Sequence, residues 1–153
     1  KMVKILFICH GNICRSPMAE FMMKAAVREA GLENRFRIDS AAVSREESGN
    51  PIYPPAQRQL RAHGVPFDDH RARQMTQADY DAYDLLIGMD GSNLAGMRRI
   101  CGGDPDGKLR LLMAYTGAAR DVADPWYTGD FDAAWRDIES GCRALLAALR
   151  SSL

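Results

Sequence analysis

The segment CHGNICRSP, Cys9 to Pro17, holds the residues of this chain best suited to chemistry. A cysteine thiolate is a strong nucleophile, and Arg15 carries the planar guanidinium that binds phosphate through two parallel hydrogen bonds. Gly11 and Asn12 are the residue types that most readily adopt positive φ, which a tightly curled loop requires. The segment therefore predicts a thiolate placed beneath a bound phosphate, where it can attack phosphorus.

The position of the segment, between an apolar run and the start of a helix, predicts an anion site. Successive backbone N–H groups of such a loop point at one spot, and the helix N-terminus adds positive charge. These groups, together with Arg15 and the Ser16 hydroxyl, favour the thiolate form of Cys9. The GxxxxGK[ST] pattern of nucleotide-binding loops is absent, so Mg·ATP is not expected. The alternative is a buried cysteine at a strand end, followed by a surface arginine.

The elements that must position this loop follow from the hydrophobic pattern. Residues 3–8 form a short continuous apolar run, typical of a parallel strand that is covered on both faces. From Pro17 the sequence is rich in helix formers, and it stops at Gly31, as helices often do. Further strands are predicted at 36–41, 84–89 and 108–115, and further helices at 54–63, 91–100 and 130–150.

Strands that alternate with helices predict right-handed βαβ units and a parallel sheet. The expected fold class is α/β, a three-layer, doubly wound, four-stranded parallel sheet with helices on both faces, in one domain over 2–153. Ligands bind beyond the carboxyl ends of the strands in such folds, which is where the Cys9 loop lies. The last helix carries an apolar stripe that should face the core: Phe131, Trp135, Ile138, Cys142, Leu145 and Leu149.

Composition limits the range of partners. The 153 residues are 46% apolar and 26% charged, which is typical of a globular protein. Twenty basic residues balance twenty acidic ones, so neither nucleic acid nor a membrane surface is an expected partner. No apolar run approaches the ~18 residues of a membrane span, and the start turns polar too early for a signal peptide. We expect a cytoplasmic monomer.

Five segments resemble the low-molecular-weight protein tyrosine phosphatases, over essentially the whole chain. They are CHGNICRSPMAE and, in the family's order and spacing, DSA, DHRARQ, MDGSNL and DPWYTGDF. The resemblance implies a hydrolase of phosphotyrosine and aryl phosphates that works through a phosphocysteine intermediate, with Cys9 as nucleophile and no cofactor or metal. It also implies that the phosphate is held by one loop: His10, Gly11, Asn12, Ile13, Cys14, Arg15 and Ser16.

The general acid is assigned by resemblance alone. Asp-Pro occurs at Asp104 and at Asp124, and by itself the dipeptide is mostly a turn signal. The family pattern selects Asp124, which would protonate the leaving oxygen and then, as a carboxylate, take a proton from the attacking water. Pro125 restricts the backbone there and helps to aim the carboxyl group.

The resemblance further implies a hydrogen-bond network that holds the loop in shape and tunes the thiolate. Its members here are Asn12, Ser16, Ser40 and His70. Without the resemblance, the sequence favours a satisfied or solvated loop histidine at position 70.

Cys14 lies five residues from Cys9, and relatives suggest a reversible disulfide between the two that protects the nucleophile from overoxidation. The alternative is a small residue packed under the loop. Cys142 is predicted to be a core residue of the last helix, and Cys101 an incidental thiol near a helix end.

The segment after DSA departs from the family pattern. Glu46 and Glu47 stand where relatives usually have an aromatic residue and histidine, and Tyr53 stands where they have aspartate. The two carboxylates are either simply solvated, or they repel acidic substrates and attract basic residues near the phosphotyrosine. Trp126 and Tyr127 are expected to form the opposite wall and to stack on the substrate ring.

Two other functions remain as alternatives. An arsenate reductase on the same fold would need two further cysteines close together in the sequence, and Cys101 and Cys142 are far apart. A phosphate-binding or redox-sensing module without enzymatic activity would keep the loop but would have no use for Asp124.

Overall fold

A four-stranded parallel sheet forms the centre of the computed structural model, which describes residues 1–118 and 120–153. The strands are β1 (Val3–Cys9), β2 (Phe36–Ala42), β3 (Leu85–Gly88) and β4 (Leu109–Leu111), in the order β2-β1-β3-β4. Because all pairs are parallel, the carboxyl ends of the strands lie at one edge. Cys9, the last residue of the central strand β1, lies at that edge beside Ala42.

Six α-helices surround the sheet: α1 (Arg15–Glu29), α2 (Pro54–Ala62), α3 (Gln77–Ala82), α4 (Gly91–Cys101), α5 (Pro125–Thr128) and α6 (Phe131–Arg150). Two 3-10 helices, Glu33–Arg35 and Leu112–Thr116, complete the described elements. Among the residues that the structure describes, no helix has the length and apolarity to cross a bilayer.

Alternating side chains of β1 divide the core into two layers. Ile5, Phe7 and Cys9 pack with α1, α2 and α6, whereas Leu6 and Ile8 pack on the other face with α3 and α4. The predicted fold class is confirmed, since helices cover both faces of a parallel four-stranded sheet. Because the Cys9 side chain is on the face of the sheet that α1 covers, its thiol lies beneath the start of that helix.

The closing helix matches its prediction. Its bounds are Phe131–Arg150, and the apolar stripe faces the sheet. Trp135, Ile138, Cys142 and Leu145 are buried, and Phe131 and Leu149 pack against the same core at its margin.

Three sequence predictions differ from the structure. The first helix begins at Arg15, two residues before Pro17, so the arginine belongs to its first turn. The fourth strand is only Leu109–Leu111, because the chain then turns into a 3-10 helix. Helix α3 was not predicted, although Thr76 and Asp79 form the capping box that marks its start.

Candidate active site

The loop between β1 and α1 curls through one residue in the left-handed region, Asn12 with φ 61°. The expectation that Gly11 shares this conformation is wrong, because its φ is not positive. Gly11 instead lies close to a side chain from another loop. A Cβ there would lie 3.2 Å from Cγ of Glu47, so the Glu47 side chain rests on the loop.

The Cys9 sulfur is surrounded by donors. The Asn12 backbone N–H donates to Sγ at 3.3 Å, and the Ser16 Oγ lies 3.0 Å from it. Ser16 Oγ already accepts a bond from Asn12 Nδ2 at 2.8 Å, so its own proton is available to the sulfur. Two hydrogen bonds of this kind stabilise a thiolate more than a thiol.

Arg15 is held by several acceptors although its side chain is only 2% exposed. Nη1 donates to Asp90 Oδ2 and to the Val122 carbonyl, both at 2.8 Å, and Nη2 donates to Asp124 Oδ2 at 3.3 Å. Burial opposes the charge, but Cys9 and the two aspartates outweigh it and raise the pKa of Arg15. The guanidinium is therefore charged and fixed in orientation beside the loop.

Asp90 was not singled out from the sequence. It follows β3 at the same edge as Cys9, and it caps α4 by accepting from the Asn93 backbone N–H at 2.7 Å. A polar residue directly after a buried strand, with a partner three residues later, is the signal that identifies it.

The structure separates the two Asp-Pro aspartates. Asp124 caps α5, with Oδ1 accepting from the Trp126 N–H at 3.1 Å, and its other oxygen faces Arg15. Asp104 precedes β4, so it lies near the amino ends of the strands. There it accepts from the Tyr80 hydroxyl and the Lys108 N–H, which outweigh burial and lower the pKa of Asp104. Only Asp124 shares a cleft with Cys9.

The predicted supporting residues meet beneath the loop. Asn12 Nδ2 donates to Ser16 and, at 2.9 Å, to Ser40, while Oδ1 accepts from the Arg73 backbone N–H at 3.2 Å. The backbone donor fixes which amide atom is oxygen, so His70 Nε2, 3.1 Å from Oδ1, carries a proton. Both amide atoms of Asn12 are fully used.

Glu20 extends this network and was missed from the sequence. Its carboxylate is buried and accepts from the Ser40 hydroxyl at 2.6 Å and from Lys24 Nζ at 2.6 Å. His70 Nδ1 lies 3.7 Å away. The available signal was a charged residue on the inward side of α1, at the end of the segment CHGNICRSPMAE.

Eleven side chains or backbone segments line the cleft above the loop: Cys9, His10, Gly11, Ile13, Cys14, Arg15, Glu46, Glu47, Asp124, Trp126 and Tyr127. All four residues predicted as substrate walls are among them. Behind Trp126, the Tyr53 ring packs with 4.9 Å between the two ring centroids. The Glu46 carboxylate has its Oε2 3.4 Å from His10 Nε2.

The four cysteines occupy different surroundings. Cys14 is buried beside Ile13 and Ala72, and burial, followed by the charges of Cys9 and Asp124, raises its pKa. Cys101 and Cys142 belong to core layers on opposite faces of the sheet. The prediction of Cys142 as a core residue is confirmed, and a disulfide relay from Cys9 through these two is excluded by their positions.

The arrangement combines a hydrogen-bonded sulfur, a fixed guanidinium, a curled loop at a helix start and a carboxyl group facing the same space. The sequence model described as "Low molecular weight phosphotyrosine protein phosphatase" matches residues 4–153. The low molecular weight protein-tyrosine-phosphatase YfkJ of Bacillus subtilis is 38% identical over 151 residues, covering 97% of each chain. Its crystal structure superimposes with a TM-score of 0.96 over 99% of this chain and 97% of that one.

A second solved structure is a complex with a phosphonate. Wzb of Vibrio vulnificus, in complex with benzylphosphonate, is 26% identical, with a TM-score of 0.82 over 95% of this chain and 97% of that one.

Proposed function

Because the chain belongs to the low molecular weight phosphotyrosine protein phosphatase family, it is a phosphoric monoester hydrolase, and we propose that Cys9, Arg15 and Asp124 carry its chemistry. One observation carries the assignment: the Arg15 guanidinium contacts Asp124 while its helix begins directly after the Cys9 loop. The proposed nucleophile, phosphate ligand and acid therefore line one cleft.

In the first step, the Cys9 thiolate attacks phosphorus, and the bond between phosphorus and the ester oxygen breaks. Asp124 donates its proton to the departing oxygen, so a neutral phenol or alcohol leaves. The enzyme then holds a phosphocysteine and an Asp124 carboxylate.

In the second step, water attacks the phosphocysteine. The Asp124 carboxylate takes a proton from that water, the bond between sulfur and phosphorus breaks, and inorganic phosphate and the thiolate are released. Loop amides and Arg15 stabilise the equatorial oxygens in both steps, because they are already oriented when charge develops on them.

Phosphotyrosine is the proposed substrate class within the cleft. Cys9 is buried, and the aromatic residues Trp126 and Tyr127 line the same cleft. A phenyl ring is long enough to carry its phosphate to that depth and flat enough to pack against an aromatic wall. Phosphoserine would bring the main chain into the walls.

Cys14 supports a redox role at the same site. We propose that a peroxide oxidises the Cys9 thiolate to a sulfenic acid, with loss of water or alcohol from the peroxide. The Cys14 thiol then attacks the sulfenic sulfur, a disulfide forms and water leaves. Burial keeps Cys14 in its thiol form, so Cys9 is the residue oxidised first.

We also propose that the protein acts as a monomer in the cytoplasm. All four cysteines are free thiols, as expected in a reducing compartment. Sedimentation at the concentration used for assays measures the oligomeric state directly.

The deciding experiment compares wild type, Cys9→Ser and Asp124→Asn in hydrolysis of p-nitrophenyl phosphate with excess chelator, from pH 4.5 to 8. We expect Cys9→Ser to lose at least about a thousandfold in kcat, and Asp124→Asn about a hundredfold or more, because nucleophile and acid are each removed. Asp104→Asn is the matched control and should keep wild-type kcat. Turnover by Cys9→Ser comparable to wild type would refute the mechanism, and phosphate binding without turnover by wild type would favour a sensor.

A further inference from the structure

We propose that Glu46 is a specificity-determining residue that binds a lysine or arginine flanking the phosphotyrosine of the substrate. This inference rests on the proposed function and adds to it the chemical class of the flanking residue. It is carried by the position, exposure and partner of this one carboxylate.

The main chain of Glu46 is fixed beside the catalytic loop. Beyond β2, the backbone N–H groups of Val43 and Ser44 donate at 3.0 Å to the carbonyls of Cys9 and His10, so the two segments run together past the sheet edge. The Ser44 hydroxyl then accepts from the Glu46 N–H at 2.9 Å. These bonds hold the residue at the lip of the cleft without using its carboxylate.

The carboxylate itself is open to an incoming group. The Glu46 side chain is 70% exposed, and its described partner is His10 Nε2 at 3.4 Å, a long contact to a side chain that is itself 53% exposed. A flanking guanidinium or ammonium can replace that contact at little cost, because an exposed pair of this kind contributes little.

The neighbouring Glu47 differs in a way that makes it a control. Its stem lies against Gly11, and its Oε1 accepts from Asn50 Nδ2 at 3.0 Å. Because the contacts of Glu47 are with other residues of the protein, substituting Glu47 changes the local charge but leaves the Glu46 carboxylate in place.

The charge of the cleft agrees with a basic flank. Of the described residues that line it, Arg15 is the one lysine or arginine, and it is buried against Asp90 and Asp124. The substrate phosphate meets this cation and the loop amides at the base. A residue next to the phosphotyrosine instead meets the lip, where Glu46 and Glu47 carry negative charge and Glu46 is the more exposed of the two.

The place of Glu46 on the cleft predicts which substrate residues its charge affects. Trp126 and Tyr127 line the cleft, and Tyr53 packs on Trp126 with 4.9 Å between the ring centroids, so the substrate ring can pack on aromatic side chains. Glu46 is a single residue at the lip of the same cleft, so we expect its charge to affect only the substrate residues on the side of the phosphotyrosine that passes it.

The test measures kcat/KM on phosphotyrosine peptides of equal length in which lysine, glutamine or glutamate is placed in turn at each position before and after the phosphotyrosine. For wild type we expect lysine to exceed glutamine about two- to fivefold at positions on one side, the size that an exposed ion pair provides. Glu46→Gln should bring that ratio close to one, and Glu46→Lys should favour glutamate. Raising the salt concentration to ~0.5 M should reduce the ratio for wild type.

Glu29→Gln, at the far end of α1, is the matched control and should keep the wild-type ratio. Glu47→Gln should change the ratio less than Glu46→Gln. A wild-type ratio of one at every position, or an equal loss in Glu29→Gln and Glu46→Gln, would overturn the proposal while leaving the phosphatase assignment intact. If wild type hydrolysed none of the peptides, the proposed function itself would fall, and this inference with it.

Discussion

The residues beneath the Cys9 loop and those above it differ in burial and in hydrogen bonding. Beneath it, Asn12 and Ser16 are 0% exposed, and each polar atom of the Asn12 amide meets a partner within 3.2 Å. Above it, Trp126 is 53% exposed, and the described contact of the Glu46 carboxylate is a long one, 3.4 Å to His10 Nε2. The underside fixes the geometry of the chemistry, and the rim leaves groups available to a substrate.

This difference sets how costly a substitution is in each region. A buried polar network is costly to change, because any atom that loses its partner keeps the full penalty of desolvation. An exposed residue such as Glu46 carries no such penalty.

The largest expected effect follows from breaking the underside with Asn12→Ala. The substitution leaves the Arg73 N–H and two hydroxyl groups short of partners and puts alanine at φ 61°, so we expect a loss of about 3 kcal/mol in the free energy of unfolding. Urea denaturation measures this loss. We expect kcat to fall with it, because the loop loses its shape.

Asn12→Gly separates the two causes of that loss. It removes the same hydrogen bonds but tolerates positive φ, so it should be about 1 kcal/mol more stable than Asn12→Ala. Equal stabilities for the two variants would show that the backbone of the loop is relaxed at this position.

A smaller effect is expected at the rim from Trp126→Leu. KM for a phosphotyrosine peptide should rise about three- to tenfold through loss of ring packing, while the midpoint of thermal unfolding stays close to that of wild type. Tyr53→Phe keeps the ring and should keep KM. A large fall in thermal stability of Trp126→Leu would mean that the rim, like the underside, is structural.

The smallest effect concerns Cys14, a buried residue of the loop that also lines the cleft. Its folded-state pKa is raised above the ordinary value of 9.0, first by burial, so the folded protein holds this proton after the unfolded chain has released it. The stabilising contribution is complete below pH 9 and declines as the pH rises above it.

Cys14→Ala should therefore lose less stability than wild type between pH 8 and pH 10, measured by urea denaturation at each pH. Cys142, whose pKa burial raises to about 12, contributes with the same sign and remains in both proteins. Identical pH dependence in wild type and Cys14→Ala would show that Cys14 is more hydrated than its burial indicates.

Sequence reasoning was reliable where a local pattern has one physical solution. The apolar run of β1 and the stripe of α6 each led to the correct element, and Asn12 has the positive φ that its residue type favours. Sequence reasoning failed at Gly11, which was assigned the same conformation. Its φ is not positive, and its close neighbour is the side chain of Glu47, far along the chain.

Long-range partners were the main omission. Asp90 and the Val122 carbonyl fix Arg15 from 75 and 107 residues away, and no periodicity reports such contacts. Glu20 was visible as a charged residue on an apolar helix face, but its acceptor role depends on where Ser40 and Lys24 lie.

The sequence by itself determined the parallel α/β fold class, the Cys9 loop and its place at the carboxyl end of a strand, because apolar periodicity and loop-forming residues act locally. Local sequence could not separate the two Asp-Pro aspartates, which only the family resemblance distinguished, and their positions in space are set by the tertiary structure. Both share the same local chemistry, but parallel strands send Asp104 to the amino edge of the sheet and Asp124 to the carboxyl edge, beside Arg15. Which carboxyl group can meet a substrate is a matter of distance through space, and only the folded chain sets that distance.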